Sequence, residues 1–222
     1  MNRIKTGIPG LDEVLGGGII EDTFLLIAGP AGTGKTIMCM QIAYTQLQLG
    51  KKVIYVSFDE GKKLVDYAKA FGWDFQKFID KGRFMLLDFI AVKATAISDY
   101  INFIIEKVQE MGADLIVIDS LTTLIMSFPE LSEARIAVDF LRKMKPKGTT
   151  LIATANMATG SKKIGMGIEE IVASGVIFLK RYLYRGELRI KLLILKLRGS
   201  PHSRRYHEVL ITNNGVQVIP LA

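Results

Sequence analysis

The segment from Gly29 to Thr36 reads GPAGTGKT and fits the phosphate-binding pattern G-x-x-x-x-G-K-[ST]. Glycines in such a loop let consecutive backbone N–H groups turn toward the charges of a nucleoside triphosphate without Cβ clashes. Lys35 stands at the predicted start of a helix, where its ammonium and the helix dipole both face the β- and γ-phosphates. The pattern predicts a nucleoside triphosphate and Mg²⁺ as cofactors, with the Thr36 hydroxyl on the metal. The candidate cofactor-binding residues are Gly29, Pro30, Ala31, Gly32, Thr33, Gly34, Lys35, Thr36 and Ile37.

The residues on either side of this loop support the prediction. Phe24 to Ala28 is short, apolar and followed by glycine, as a buried parallel strand should be, whereas Ile37 to Leu49 reads as a helix. A strand, a glycine-rich loop and a helix in this order are the context that a phosphate loop requires. The alternative interpretation is a glycine-rich turn that binds no ligand.

Two acidic residues follow the next predicted strand, Val53 to Phe58. Asp59 and Glu60 stand at its carboxyl end, where ligands bind in open α/β folds. A carboxylate at this position can orient the attacking water in line with the γ-phosphate and accept its proton. The alternative is that both acids cap the next predicted helix, Gly61 to Phe71.

A third acidic residue ends the predicted strand DLIVID, residues 114–119. Four apolar residues closed by an acid predict a magnesium site when they follow a phosphate loop in the same sheet. We therefore expect Asp119 to hold Mg²⁺ through a water molecule. Ser120 and Thr122 could assist, although small polar residues after a strand are commonly turn formers.

Asn156 follows the predicted strand Thr149 to Ala155. Its side chain could contact the γ-phosphate, or it could serve a turn, as asparagine often does at strand ends. Carboxyl ends of parallel strands meet at one edge of a sheet, so the candidate residues converge there. The residues delivered to this edge are Gly29, Glu60, Asp119 and Asn156.

Other segments of the α/β pattern carry no chemistry. Arg83 to Asp88 reads as a strand, and Leu131 to Met144 as a helix that ends before Pro146. Cys39 is the only cysteine, which excludes an internal disulfide, and its place on the apolar side of a helix predicts a core position. Residues at helical spacing predict a further covering helix: Ile97, Ile101, Ile104, Ile105 and Val108.

Length and composition set wide limits. The 222 residues suffice for one large α/β domain, and with no Pro/Ser-rich linker we expect a single domain over residues 1–222. The N-terminus, MNRIKTGIPG, lacks the apolar segment of a signal peptide, and no apolar run approaches the ~20 residues of a membrane span. These features predict a cytoplasmic protein without a membrane partner.

The C-terminal part of the chain is basic and rich in β-forming residues. Alternation from Leu188 to Val218 predicts antiparallel strands added to the edge of the parallel sheet. A period of two places Lys196 and Arg198 on the face of Ile190, Leu192 and Ile194, and an apolar face that becomes cationic indicates an anion or an interface; a solvated basic strand is the alternative. Two acids, Glu187 and Glu208, oppose nine cations: Lys180, Arg181, Arg185, Arg189, Lys191, Lys196, Arg198, Arg204 and Arg205.

Five separated motifs stand along the chain: TGIPGLDEVLGGGI, GPAGTGKT, Phe58-Asp59-Glu60, Gly72-Trp73-Asp74 and Lys196-Leu197-Arg198-Gly199, with His202 shortly after. Together they resemble the KaiC-like branch of the RecA-type ATPases. The resemblance extends from Thr6 to about Pro220 and departs from the family at Asp59, where glutamate is usual, and at Ser174, where aspartate is common. The first departure leaves Glu60 as the effective base.

The resemblance implies a RecA-like fold: a mostly parallel twisted sheet flanked by helices, with a C-terminal antiparallel β-hairpin extension. It also implies a homo-oligomer, a hexamer with nucleotide at the subunit interfaces, in which Arg198 is an arginine finger in trans and Lys196 its partner. In RecA-type proteins a loop at the position of Met157 to Ile168 faces the ring channel and sometimes contacts nucleic acid; a plain flexible loop is the alternative. The predicted catalytic residues are Glu60, Asp59, Lys35, Lys196 and Arg198.

Two functional hypotheses follow. The first is a slow ATPase, ring-forming, whose cycle changes its shape or its affinity for an unknown protein client. The second is a recombinase-like DNA-binding protein in which ATP controls DNA engagement by Lys162, Lys163 and the basic C-terminal region. A phosphotransferase is less favoured because no lid rich in arginine is visible, and a GTPase because no N-K-x-D motif is present.

Overall fold

The computed structural model describes residues 2–58, 61–89, 97–158, 161 and 163–221. Strands and helices alternate through most of these ranges. The strands are β1 (Arg3–Ile4), β2 (Ile19–Ile20), β3 (Phe24–Pro30), β4 (Val53–Ser57), β5 (Phe84–Asp88), β6 (Leu115–Asp119), β7 (Thr150–Met157), β8 (Gly175–Tyr184), β9 (Glu187–Leu197), β10 (His207–Thr212) and β11 (Gly215–Pro220). The helices are α1 (Leu11–Val14), α2 (Lys35–Gln48), α3 (Gly61–Lys69), α4 (Gln76–Ile79), α5 (Ile97–Met111), α6 (Leu121–Met126), α7 (Leu131–Met144) and α8 (Ile168–Val172).

The central sheet has nine strands in the order β11-β10-β9-β8-β3-β7-β6-β4-β5. The six strands from β8 to β5 in this order run parallel, whereas β9, β10 and β11 extend one side as antiparallel strands. The predicted α/β class, with its C-terminal antiparallel extension, is confirmed. The short antiparallel pair of β1 and β2 lies apart from this sheet and had no signal in the sequence pattern.

Helices cover both faces of the parallel strands. Strand β3 shows the division, because Leu25 and Ile27 pack in the cluster that includes α2, while Phe24, Leu26 and Ala28 pack in the cluster that includes α5 and α7. A strand buried on both faces reads as a continuous apolar run, which is why its sequence does not alternate. On the α2 side, the predicted core cysteine is fully buried. No helix of the described residues is both long and apolar enough to cross a membrane.

A β-bulge overturns one prediction for strand β9. Cross-strand pairing with β8 skips one residue of β9 between Ile194 and Lys196. Since an extra residue reverses the alternation, Leu197 and not Lys196 continues the buried face of Ile190 and Ile194. The prediction that Lys196 and Arg198 share this apolar face is therefore wrong. Arg198, just beyond the end of the strand, is exposed.

Candidate functional site

The GPAGTGKT segment forms the turn between the end of β3 and the start of α2. A Cβ atom on Gly29 would lie 2.8 Å from the Leu179 carbonyl oxygen, so strand β8 leaves no room for a side chain there. At the other end of the loop, Gly34 has a φ of 82° and precedes the first turn of α2. This left-handed conformation favours glycine and aims the following backbone N–H groups out of the helix end. The local structure is thus a loop that can surround phosphates.

Lys35 begins α2, and its side chain is almost completely buried, with an exposure of 7%. Its ammonium donates to the carbonyl oxygens of Gly29 at 2.9 Å and Pro30 at 3.0 Å. Burial lowers the pKa of this ammonium, while the charge of Asp119 opposes the shift. A buried cation held by neutral carbonyl groups is incompletely compensated, so the loop favours an anion beside it.

Asp119 ends β6, and both of its carboxylate oxygens are fixed by neighbouring strands. Tyr55 of β4 donates its hydroxyl to Oδ2 at 2.9 Å, and Thr154 of β7 donates its hydroxyl to Oδ1 at 2.5 Å. Burial, followed by the Asp119 charge, raises the pKa of Tyr55 well above its usual value, so this hydroxyl keeps its proton. A carboxylate has about four acceptor positions, which leaves capacity for a metal-bound water. Hard oxygen donors of this kind suit Mg²⁺.

Sequence analysis missed Tyr55 and Thr154 as parts of the site. Both lie inside apolar strands, where tyrosine and threonine are ordinary β-forming residues. The strand order could have revealed them, because β4 and β7 flank β6 and each places one hydroxyl beside the same carboxylate. That order is a property of the tertiary structure.

Asn156 lies near the carboxyl end of β7, beyond the last residue of β7 that pairs with β6. This is the same edge of the sheet at which Asp119 ends β6. Its amide nitrogen Nδ2 donates to Ser120 Oγ at 3.3 Å, and its backbone N–H donates to Thr122 Oγ1 at 3.0 Å. Ser120 also caps α6 by accepting from the backbone N–H of Thr123 at 3.1 Å. The two small polar residues thus tie the ends of β6 and β7 together, in addition to starting a helix.

These residues line a cavity of about 600 Å³ that has two chemically different ends. A cavity with a polar, cationic end and an apolar end of this volume suits a nucleotide, whose phosphates and base differ in the same way. Its polar end is lined by Ala31, Gly32, Lys35, Thr36, Ser57, Asp119, Ser120 and Asn156. Its apolar end is lined by Ile37, Met40, Leu64, Tyr67, Ala70 and Phe71.

The remaining predicted site residues fall into two groups. Asp59, Glu60 and Lys162 lie outside the described residues. Lys196 and Arg198 are described, and the structure does not bring them to the phosphate loop. Within the described residues, no group of three or more His, Cys, Asp or Glu side chains could hold a metal ion.

Lys196 and Arg198 lie at the opposite end of the parallel strands from the phosphate loop, which we call the far edge of the sheet. Lys196 pairs with Val176, which in turn pairs with Leu26 near the start of β3. The backbone N–H of Arg198 donates to the carbonyl oxygen of Ser174 at 2.9 Å, just before β8 begins. From Leu26 to Pro30 the strand advances four residues, or about 13 Å. Neither cation is therefore placed at the nucleotide edge of its own chain.

The Lys196 ammonium donates to the carbonyl oxygen of Glu170, in the middle of α8, at 2.9 Å. Burial lowers its pKa, and the neighbouring Arg198 guanidinium adds to the shift. Two cations thus stand together at this edge. Such a pair is suited to an anion supplied from outside the chain.

The fold and the site define a class of protein. A mostly parallel sheet with an antiparallel extension, a GPAGTGKT loop after β3 and an aspartate at the end of β6 make up a RecA-like phosphate-loop fold.

The sequence model of the KaiC ATPases matches residues 4–222, and the chain belongs to this family. A KaiC-like protein of the archaeon Pyrococcus horikoshii has a crystal structure similar to this one, with a TM-score of 0.88, 32% identity and 99% coverage of both chains. A UPF0273 protein of the same organism is 34% identical over 98% of this chain and 94% of its own. The circadian clock oscillator protein KaiC of Picosynechococcus is 29% identical over 100% of this chain, which spans 45% of that protein.

Proposed function

We propose that this protein binds ATP with Mg²⁺ and hydrolyses it slowly. The observation that carries the proposal is Lys35, buried in the phosphate loop with only loop carbonyls as hydrogen-bond partners among the described residues. The γ-phosphate is the anion that this ammonium favours. Thr36 and Asp119 are the proposed metal-binding side chains, the second through water. When bound, Mg²⁺ neutralises charge that develops on the phosphate oxygens.

The water that attacks the γ-phosphate needs a base at the same edge of the sheet. We assign this role to Glu60, with Asp59 as a weaker neighbour because its side chain is shorter. Both follow Ser57 and Phe58 directly in sequence, and Ser57 is in register with Asp119. A carboxylate hydrogen-bonded to the water can orient it and take its proton.

The proposed oligomer follows from the position of the two cations at the far edge of the sheet. Arg198 and Lys196 cannot reach the phosphate loop of their own chain, so only a second copy can present them to a γ-phosphate. The contact is head to tail: the nucleotide edge of one subunit faces the opposite edge of the next. Head-to-tail contacts close into rings, and we propose a hexamer. The ATP cycle then changes the ring's shape or its affinity for a protein client.

Substitution of the proposed base tests the reaction directly. Glu60→Gln keeps the size of the side chain but cannot accept the proton, so we expect labelled ATP to bind while turnover is lost. Lys35→Ala should lose binding as well, because the phosphate loop loses its cation. Lys52→Ala, an exposed lysine whose ammonium donates to the Met111 carbonyl oxygen away from the cavity, is the control. Unchanged turnover in Glu60→Gln would remove Glu60 from the mechanism.

One observation favours DNA binding as a second candidate function. Lys180 and Lys191 are directly opposite each other on β8 and β9, and Glu208 of β10, opposite Lys191 on its other side, balances one of the two charges. The Lys191 ammonium also lies 5.0 Å from the Tyr182 ring centre and 4.3 Å from that of Tyr206. Cations among aromatic rings are typical of single-strand binding surfaces. The loop that includes Lys163 would extend this surface.

The salt dependence of binding to labelled single-stranded DNA distinguishes the two functions. If DNA is the partner, log K should fall by about 0.7 per phosphate contact for each unit of log salt concentration. Lys191→Glu should then abolish binding, whereas Lys52→Glu on another surface should change it little. If the protein binds no single-stranded DNA at low salt, the second candidate function is refuted and only the ATPase proposal remains.

A further inference from the structure

Glu169 is a buried carboxylate for which the proposed mechanism has no use. It lies in the first turn of the short helix α8, and its exposure is 0%. Burial of a carboxylate is unfavourable unless hydrogen bonds compensate it. The Thr122 hydroxyl donates to Oε1 at 2.9 Å, and the backbone N–H of Met166 donates to Oε1 at 3.2 Å and Oε2 at 3.0 Å. The carboxylate therefore joins the first turn of α6 to the loop that precedes α8.

The same threonine connects Glu169 to the nucleotide edge. Thr122 Oγ1 donates its proton to Glu169 and accepts the backbone N–H of Asn156 at 3.0 Å. The single hydroxyl proton is thus committed to the carboxylate, which leaves the oxygen lone pairs directed at Asn156. A group that fixes the direction of this hydroxyl also fixes the backbone of Asn156.

A second connection runs from Asn156 to the same loop. Its carbonyl oxygen accepts the backbone N–H of Gly165 at 3.1 Å, one residue before the Met166 amide that Glu169 holds. Space around Gly165 is tight, since a Cβ atom there would lie 2.0 Å from Glu169 Oε1. Asn156 and the loop at residues 163–167 are consequently held by one network centred on Glu169. Asn156 thus contacts the loop by two paths, one direct through the Gly165 N–H and one through Thr122, Glu169 and Met166.

We propose that Glu169 is a positioning residue for the nucleotide site: through Thr122 it holds Asn156 in place and couples the loop at residues 163–167 to nucleotide occupancy. This inference rests on the proposed nucleotide binding. Glu169 contacts no lining residue of the phosphate end except through Thr122 and Asn156, so it acts on alignment for hydrolysis and not on affinity. Its effect should appear in kcat and in the response of the loop.

Glu169→Gln is the central variant, and Glu133→Gln, at an exposed glutamate of α7, is its matched control. Glutamine has one acceptor oxygen, so its amide group would face a donor at either Met166 or Thr122. We expect kcat to fall about tenfold, the effect of losing one hydrogen bond to a charged group, with the Kd of labelled ATP changed less than about threefold. Hydrogen exchange of residues 163–167 should respond to ATP and Mg²⁺ in the wild type and in Glu133→Gln, and markedly less in Glu169→Gln.

Three outcomes would overturn the inference. In the first, Glu169→Gln has the same kcat and the same hydrogen exchange as the control. In the second, Glu169→Gln loses ATP binding and thermal stability together. In the third, hydrogen exchange of residues 163–167 in the wild type does not change when ATP is added. If Glu169→Gln fails to fold, Thr122→Val decides the question, because it keeps the size of Thr122 and the Met166 contact while removing the link to Asn156. Wild-type protein that binds no ATP would instead refute the proposed function.

Discussion

The hydroxyl of Tyr55 offers a sharp test of the site, because Tyr55→Phe removes one oxygen atom and nothing else. The ring is fully buried in the α2-side cluster, and phenylalanine fills the same volume. The lost interaction is the donation to Asp119 Oδ2 at 2.9 Å. Any effect on function must therefore pass through the Asp119 carboxylate.

The magnitude follows from the charge and exposure of the acceptor. A hydrogen bond to a charged group contributes about 1.5 to 3 kcal/mol, and water in the cavity can replace part of it because Asp119 is half-buried. We expect the free energy of unfolding to fall by about 1 to 2 kcal/mol, which for a chain of 222 residues lowers Tm by about 2 to 8 °C. Thr154 alone then orients the carboxylate, so the Mg²⁺ concentration for half-maximal ATPase activity should rise about three- to tenfold.

Tyr44→Phe is the matched control. The Tyr44 hydroxyl also has a hydrogen-bond partner, Lys77 Nζ at 3.1 Å, but it does not line the cavity. The assays are thermal unfolding and ATPase rate as a function of Mg²⁺ at saturating ATP. If both variants show the same magnesium dependence as the wild type, Asp119 does not act through the metal and the reasoning about its two fixed oxygens is wrong.

Three further predictions concern the phosphate loop and the subunit contact. Gly29→Ala should destabilise the fold by about 1 to 3 kcal/mol, and so lower Tm, because the added Cβ would clash with Leu179; Gly50→Ala, with no atom within 4 Å of the added Cβ but a φ of 92°, shows the cost of backbone strain without a clash. Burial lowers the pKa of Lys35 in the folded protein, so just below the usual value of 10.5 the unfolded chain binds more protons than the folded one. The free energy of unfolding should therefore rise with pH in this range. Denaturant unfolding of Lys35→Met should lack this contribution to the slope. Mixed Arg198→Ala and Lys35→Ala proteins should regain ATPase activity if the finger acts in trans, and no recovery despite verified subunit exchange would argue against it.

The sequence alone determined those elements that have a local pattern, either residues at fixed spacing or a regular repeat of apolar residues. The phosphate loop is recognisable because its glycines, lysine and threonine must stand at fixed spacing, and the helix Leu131–Met144 because one face of a helix repeats every 3.6 residues. Strand ends at Asp119 and near Asn156 were predictable because acids and amides interrupt apolar runs. Parallel strands then bring these ends to one edge without further information.

Tertiary structure alone decided the contacts between strands. Tyr55 and Thr154 became parts of the site because β4 and β7 flank β6, an order that no local pattern encodes. The bulge in β9 turned Lys196 away from the apolar face, and pairing with β8 placed it at the far edge from the phosphate loop. Nothing in the local sequence marks Glu169, which the fold buries against Thr122. Local sequence specifies which groups are present; pairing across the sheet specifies which of them meet.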